Sequence, residues 1–231
     1  MGSTAEMKEK AKRILKGKWT QVVLMNLIPM LIAGLFLLLL LFPVIIGAIV
    51  IYSNSGNLND VFDNVSVTID SGGANWTDQF GGFFALFIQY GLSWTYLDLV
   101  RGKISNVNPI EANLRVFKSG KGWLTFGVAF FVTLFIGFWS ILLIIPGIIK
   151  TYSYAQAGYL LNDEYDSDMS LFDYITKSRE LMDGHKMDLF ILELSFIGWH
   201  LLGALSFGIG YLWIRPYIET TRAVFYDEIK G

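Results

Sequence analysis

The stretch "IIPGII", Ile144–Ile149, interrupts an apolar run that extends from Trp123 to Leu161. A proline beside a glycine either kinks one long helix or reverses the chain between two. The flanking charges decide, because Lys and Arg of short loops collect on the cytoplasmic side of a membrane. Arg101, Lys103, Arg115, Lys118 and Lys121 precede the run, and Lys177, Arg179 and Lys186 follow it. A mere kink would send the second group to the opposite face. Reading "IIPGII" and the later "FGIG", Phe207–Gly210, as outer turns keeps every basic cluster inside. The segment 53–79 fits an outer loop, since it contains Asp60, Asp63, Asp70 and Asp78 and no Lys or Arg.

Composition supports a bilayer as the solvent. The chain is 53% hydrophobic and only 16% charged, against about 25% charged in soluble domains. It has no cysteine, which excludes disulfides and thiolate chemistry, and its two histidines, His185 and His200, are too few for a histidine metal cluster. No cofactor, metal or nucleic-acid partner is expected. The first apolar run, Val22 to Ile51, follows a basic segment. It far exceeds the roughly 7–15 residues of a cleavable signal core, so it reads as a retained membrane helix, tilted or kinked at Pro29 or Pro43.

The expected fold is all-α: a polytopic bundle of six transmembrane helices near residues 22–52, 80–100, 123–144, 146–161, 187–206 and 209–226, with both termini cytoplasmic. The whole chain, 1–231, reads as one integral membrane domain. Amphipathic stretches precede three of the spans, each ending in a small-residue and lysine junction: "AKRILKGKW", "NLRVFKSGKGW" and "KSRELMDGHKM". Their apolar faces are Met7, Ala11 and Ile14, then Ile110, Leu114 and Phe117, then Leu171, Ile175 and Met182. Each is expected to lie on the inner leaflet. "IKTYSYAQAGYLLND" and "IRPYIETTRAVFYDE" align without gaps, placing Lys150 on Arg215 and Tyr152 on Tyr217. Three hairpin repeats follow, about 5–104, 109–163 and 170–228.

"WSILLIIPGIIKTYSYAQAGYLLND", "SRELMDGHK" and "LSFIGWHLLGALSFGIGYLWIRPYIETTRAVFYDE" resemble an integral membrane family of Gram-positive bacteria known as domain of unknown function 975. The resemblance runs from about Trp123 to Glu228, and the "GKW" junction fits it. It implies a bacterial cytoplasmic membrane and a distant likeness of scaffold to the membrane portion of glycerophosphodiester phosphodiesterases. It implies no site.

The last apolar segment carries Arg215, Glu219 and Arg222, three and four residues apart and therefore on one stripe of a helix. A lone charge at the bilayer centre costs about 2.5–3.5 kcal/mol on insertion scales, so partners are required. Glu193 and His200 on the preceding span stand at matching depths. Glu193 is expected to pair with Arg222 and His200 to reach Glu219. Lys150 either snorkels outward or competes for Glu219. These six form the candidate intramembrane polar site. Asp98 is expected to pair with Arg101. Two readings stay open: snorkelling and interhelical glue, or an enclosed polar cavity.

At the surface, Lys8, Lys10, Lys12, Arg13, Lys16 and Lys18 are expected to hold anionic lipids of the inner leaflet. The favoured function is a non-enzymatic scaffold, partner-binding or membrane-protective module that contacts the bilayer and another membrane protein or a second copy. The alternative is a small transporter or lipid-handling protein using the polar site. Enzymatic work by Glu219 and His200 ranks third, because no nucleophile or metal centre accompanies them.

Overall fold

The computed structural model describes residues 2–57, 59–61, 63, 74–142, 144–165 and 168–231. Asp70, one of the four aspartates of the expected outer loop, lies outside them. Among the described residues the regular structure is helical, without strands. Eleven helices follow in order: α1 (Thr4–Leu15), α2 (Trp19–Ser55), α3 (Ala74–Val100), α4 (Pro109–Lys118), α5 (Gly122–Leu142), α6 (Ile144–Tyr154), α7 (Ala157–Asp163), α8 (Leu171–Leu181), α9 (Lys186–Leu194), α10 (Ile197–Leu205) and α11 (Tyr211–Lys230). They divide into two compact units, Met1–Ile28 with Leu86–Gly231, and Pro29–Ala85. Gly122–Ser140 and Lys186–Leu205 are long and apolar enough to cross a membrane, and most of each is exposed.

In the smaller unit, Pro29 and Pro43 both sit inside the continuous helix α2. Leu31, Leu38 and Phe42 are each more than 60% exposed there.

The larger unit contains the two reversals. Pro146 falls in the first turn of α6, where a missing N–H costs nothing. Beyond it α6 folds back on α5: Gly147 closes on Ser140, the Lys150 ammonium lies 5.1 Å from the Trp139 ring centre, and Phe135 meets Tyr154. At the second reversal the N–H of Phe207 donates to the Ala204 carbonyl and that of Gly208 to the Gly203 carbonyl. This pair of bonds is a Schellman C-cap. Its left-handed residue is Phe207, at φ 52°, followed by Gly208 at φ 88°. Tyr211 then packs against Gly203 and Tyr217 against Phe196, so α11 runs antiparallel to α10 and α9.

All three amphipathic helices form, capped by Ser3, Asn108 and Ser170. A left-handed glycine follows each, Gly17, Gly120 and Gly184, before the next helix begins. A side chain at any of the three would meet nothing within 4 Å, so conformation and not space calls for glycine. The first two amphipathic helices pack lengthwise on other helices. Helix α1 lies lengthwise along α11: the Gly2 N–H donates to Glu228 Oε2 at 2.7 Å, and the Lys12 ammonium stands 5.5 Å from the Tyr217 ring centre. Its stripe of Met7, Ala11 and Leu15 is buried by that docking. Helix α4 runs back along α3, with Val116 against Gly91 and Phe117 against Phe87. It buries Ala112 and Val116, while Ile110 and Phe117, of the face expected to lie on the leaflet, are each 64% exposed. An apolar stripe needs an apolar partner, and a neighbouring helix supplies one as well as a leaflet does.

Between α2 and α3 the buried Asn26 amide donates to the Val22 carbonyl and to Tyr96 Oη. The fully buried Trp94 donates its indole N–H to the Gly158 carbonyl at 2.6 Å. Burying such groups is tolerable only because each is hydrogen-bonded.

Candidate functional site

Helices α9 and α11 bring Glu193, Glu219 and Arg222 together. Arg222 Nη2 donates to Glu193 Oε1 at 2.6 Å, and Nη1 donates to Glu219 Oε1 at 3.2 Å, so one guanidinium bridges two carboxylates. Tyr152, on α6, donates to the second Glu193 oxygen at 2.9 Å. The Glu219 side chain is only 8% exposed, against 29% for Glu193 and 40% for Arg222. With all three ionised the cluster carries one negative charge, and a charge buried this way must be paired or must attract a counter-charge.

Two cavities meet at this cluster. The first, about 250 Å³, is lined by Gln89, Tyr90 and Ser93 of α3, Gln156 at the α6–α7 break, Tyr159 of α7, and the three charged residues. The second, about 390 Å³, is lined by the same three together with Phe196, His200, Tyr211, Arg215 and Ile218. Apart from the bridged cluster the two share no lining residue. Among the described residues four buried side-chain polar atoms have no hydrogen-bond partner: Gln89 Nε2, Gln156 Oε1, Tyr159 Oη and Arg222 Nε. All four belong to residues lining the first cavity. An unpaired buried polar atom costs about 1–3 kcal/mol, so the four are a concentration of unmet polar groups within the wall of this cavity.

The sequence-derived set divides at this point. Glu193, Glu219 and Arg222 form the cluster, while His200 and Arg215 line the second cavity without touching it. His200 Nδ1 lies 3.4 Å from Tyr211 Oη, so it pairs with Tyr211 and not with Glu219. Lys150 does not reach Glu219 either; it rests over the Trp139 and Tyr154 rings. A cation on an aromatic face is satisfied without a carboxylate. Gln89, Gln156 and Tyr159 escaped notice because an uncharged residue in an apolar run carries no sequence signal of what it faces.

A separate ionic network ties the ends of α3, α7 and α11. Arg101 donates to both Asp163 oxygens and, from Nε, to Asp227 at 2.8 Å. Lys230 reaches Asp163 at 2.8 Å and Glu164 at 2.9 Å, and Lys177 reaches Glu164 at 2.9 Å. Burial alone would raise the Asp163 carboxyl, but hydrogen bonds from Arg101, Lys230 and Tyr226 outweigh it and hold the group well below the usual carboxylate range. Hydrogen bonds from Lys230 and Lys177 lower Glu164 likewise. Asp98 consequently pairs with Arg115 and, at 3.8 Å, with Lys103, and not with Arg101. Arg101 is drawn away because two carboxylates outcompete one.

Residues 140–231 match the family described as Protein of unknown function (DUF975). The match covers all six charged or histidine candidates and the second cavity, and it supports the family half of the resemblance. It is silent on Gram-positive origin and on glycerophosphodiester phosphodiesterases. No curated protein and no solved structure matches the chain. Lys12, Arg13 and Lys16 of the basic N-terminal set line a third space, between α1 and α11, and Lys8 donates to the Ser195 carbonyl at 2.8 Å. No group of three or more metal-binding side chains exists among the described residues.

Proposed function

We propose that the protein is a multi-pass protein of a bacterial cytoplasmic membrane, with six spans and both termini inside, that binds a small polar solute within its C-terminal bundle and passes it between two cavities. One observation carries this reading: the Glu193–Arg222–Glu219 cluster stands on the walls of two cavities that have no other lining residue in common. A bridged ion cluster in that position is a partition that differential contacts with a solute can open or close. The guest is polar and offers both a donor and an acceptor, since small turns of the lining side chains would present Gln89 Nε2 and Arg222 Nε as donors, Gln156 Oε1 as an acceptor and Tyr159 Oη as either. A scaffold or membrane-protective bundle would be served by a dry apolar interior with charges at its rims, and it gives no account of four unpaired polar atoms on residues that line one cavity. The reading needs no enzymatic step.

The test is a density map of the full chain in lipid nanodiscs. Ordered density is expected within hydrogen-bonding distance of Gln156 Oε1 and Tyr159 Oη, as water or as a co-purified solute. A cavity without density, with the Gln156 amide turned to a protein partner, would refute the proposal.

A further inference from the structure

Helix α1 spends only one face on α11. Beside its buried stripe runs a second stripe of Glu9, Lys12 or Arg13, and Lys16, spaced three to four residues apart and therefore aligned. This stripe borders a space of about 410 Å³. The opposite walls are aromatic: Trp19 at the start of α2, Trp199 on α10, and Trp213 and Tyr217 on α11. Trp199 and Tyr217 meet edge to face at 5.7 Å. Lys12, Arg13 and Lys16 form no salt bridge among the described residues, and Glu9 forms none either, leaving a surplus of two positive charges at the rim.

We infer that this slot binds one phosphate-bearing amphiphile, an anionic lipid whose headgroup sits against the α1 cations and whose first acyl segment lies along the indoles. Charge complementarity identifies the headgroup, since Arg and Lys are the residues that pair with phosphate. The apolar wall identifies the remainder, because a free anion gains nothing from four aromatic rings, whereas each methylene of an acyl chain that buries against them adds to binding. The slot shares no lining residue with either cavity at the ion cluster, so the inference stands apart from the solute reading.

The experiment titrates the full chain, purified in a neutral detergent, with short-chain phosphatidylglycerol, phosphatidylcholine or inorganic phosphate, reading tryptophan fluorescence and thermal unfolding. Phosphatidylglycerol alone is expected to saturate and to raise the unfolding temperature. Lys12→Gln/Lys16→Gln should weaken it by roughly 30-fold, from about one kcal/mol of attraction per cation. Lys10→Gln/Lys18→Gln removes equal charge away from the slot and should change affinity less than threefold, while Glu9→Gln should tighten binding. Trp199→Leu, which is exposed enough to fold without its ring, should weaken phosphatidylglycerol with no change in secondary structure. Equal losses in the two lysine pairs would overturn the slot in favour of a diffuse basic surface. Saturation by inorganic phosphate at the same concentration would overturn the amphiphile in favour of a free anion, and equal binding of phosphatidylcholine would overturn the charge argument.

Discussion

Arg222 is the residue on which the cluster depends. Removing it leaves Glu219, 8% exposed, and Glu193 facing each other without a cation. Breaking a buried ion pair costs about 3–5 kcal/mol, and the 40% exposure of Arg222 reduces this, so Arg222→Leu is expected to destabilise by about 2–4 kcal/mol. Thermal unfolding in detergent measures it. Adding Glu193→Gln and Glu219→Gln should restore most of the loss, because no uncompensated carboxylate then remains. If the single variant unfolds at the wild-type temperature, the guanidinium is not balancing the pair. The Glu193 to Arg222 contact was legible in the sequence, since equal distance from a turn sets equal depth in an antiparallel hairpin. The contacts of His200 and Lys150 were not, because depth alone does not fix which side of a helix faces which neighbour.

Among elements, the glycine-bearing breaks were readable and the others were not. "IIPGII" and "FGIG" announce themselves by composition, although the left-handed position at the second is Phe207 and not a glycine. The interruptions at Ala155–Gln156 and Ser195–Phe196 contain neither proline nor glycine. They form where tertiary partners claim backbone groups: Ser178 Oγ accepts from the Gln156 N–H and donates to the Ser153 carbonyl, and Lys8 donates to the Ser195 carbonyl. Such partners are distant in sequence, so no local signal exists. The break at Gln156 is what turns its side chain to the first cavity and brings Gly158 under Tyr90. A Cβ on Gly158 would lie 2.3 Å from that ring, and the Gly158 carbonyl holds Trp94. Gly158→Val is therefore expected to force α7 from α3 at a cost of about 1–3 kcal/mol, the usual range for overpacking. Red-shifted Trp94 emission should accompany the lower unfolding temperature, and an unshifted spectrum with wild-type stability would show that the two helices tolerate separation.

At the scale of the whole molecule the open quantity is which ends of the helices share a side of the membrane. Helices α9 and α10 with the two residues between them make a predominantly apolar segment of 20 residues, about 30 Å at 1.5 Å per residue, which matches the hydrocarbon thickness of a bilayer. Their two ends are well placed for labelling, because Phe207 is 98% exposed at one turn and the Asp183 side chain 85% exposed at the other. The chain has no cysteine of its own, so a single introduced thiol reports one position without background. In intact cells a membrane-impermeant maleimide is expected to label Phe207→Cys. Asp183→Cys, beside Arg179 and Lys186, should be reached only after lysis. Labelling of both thiols from outside would mean that Lys186–Leu205 does not cross, and the expected six-span threading would fall with it, while the contacts of the ion cluster, which depend only on the hairpin, would stand.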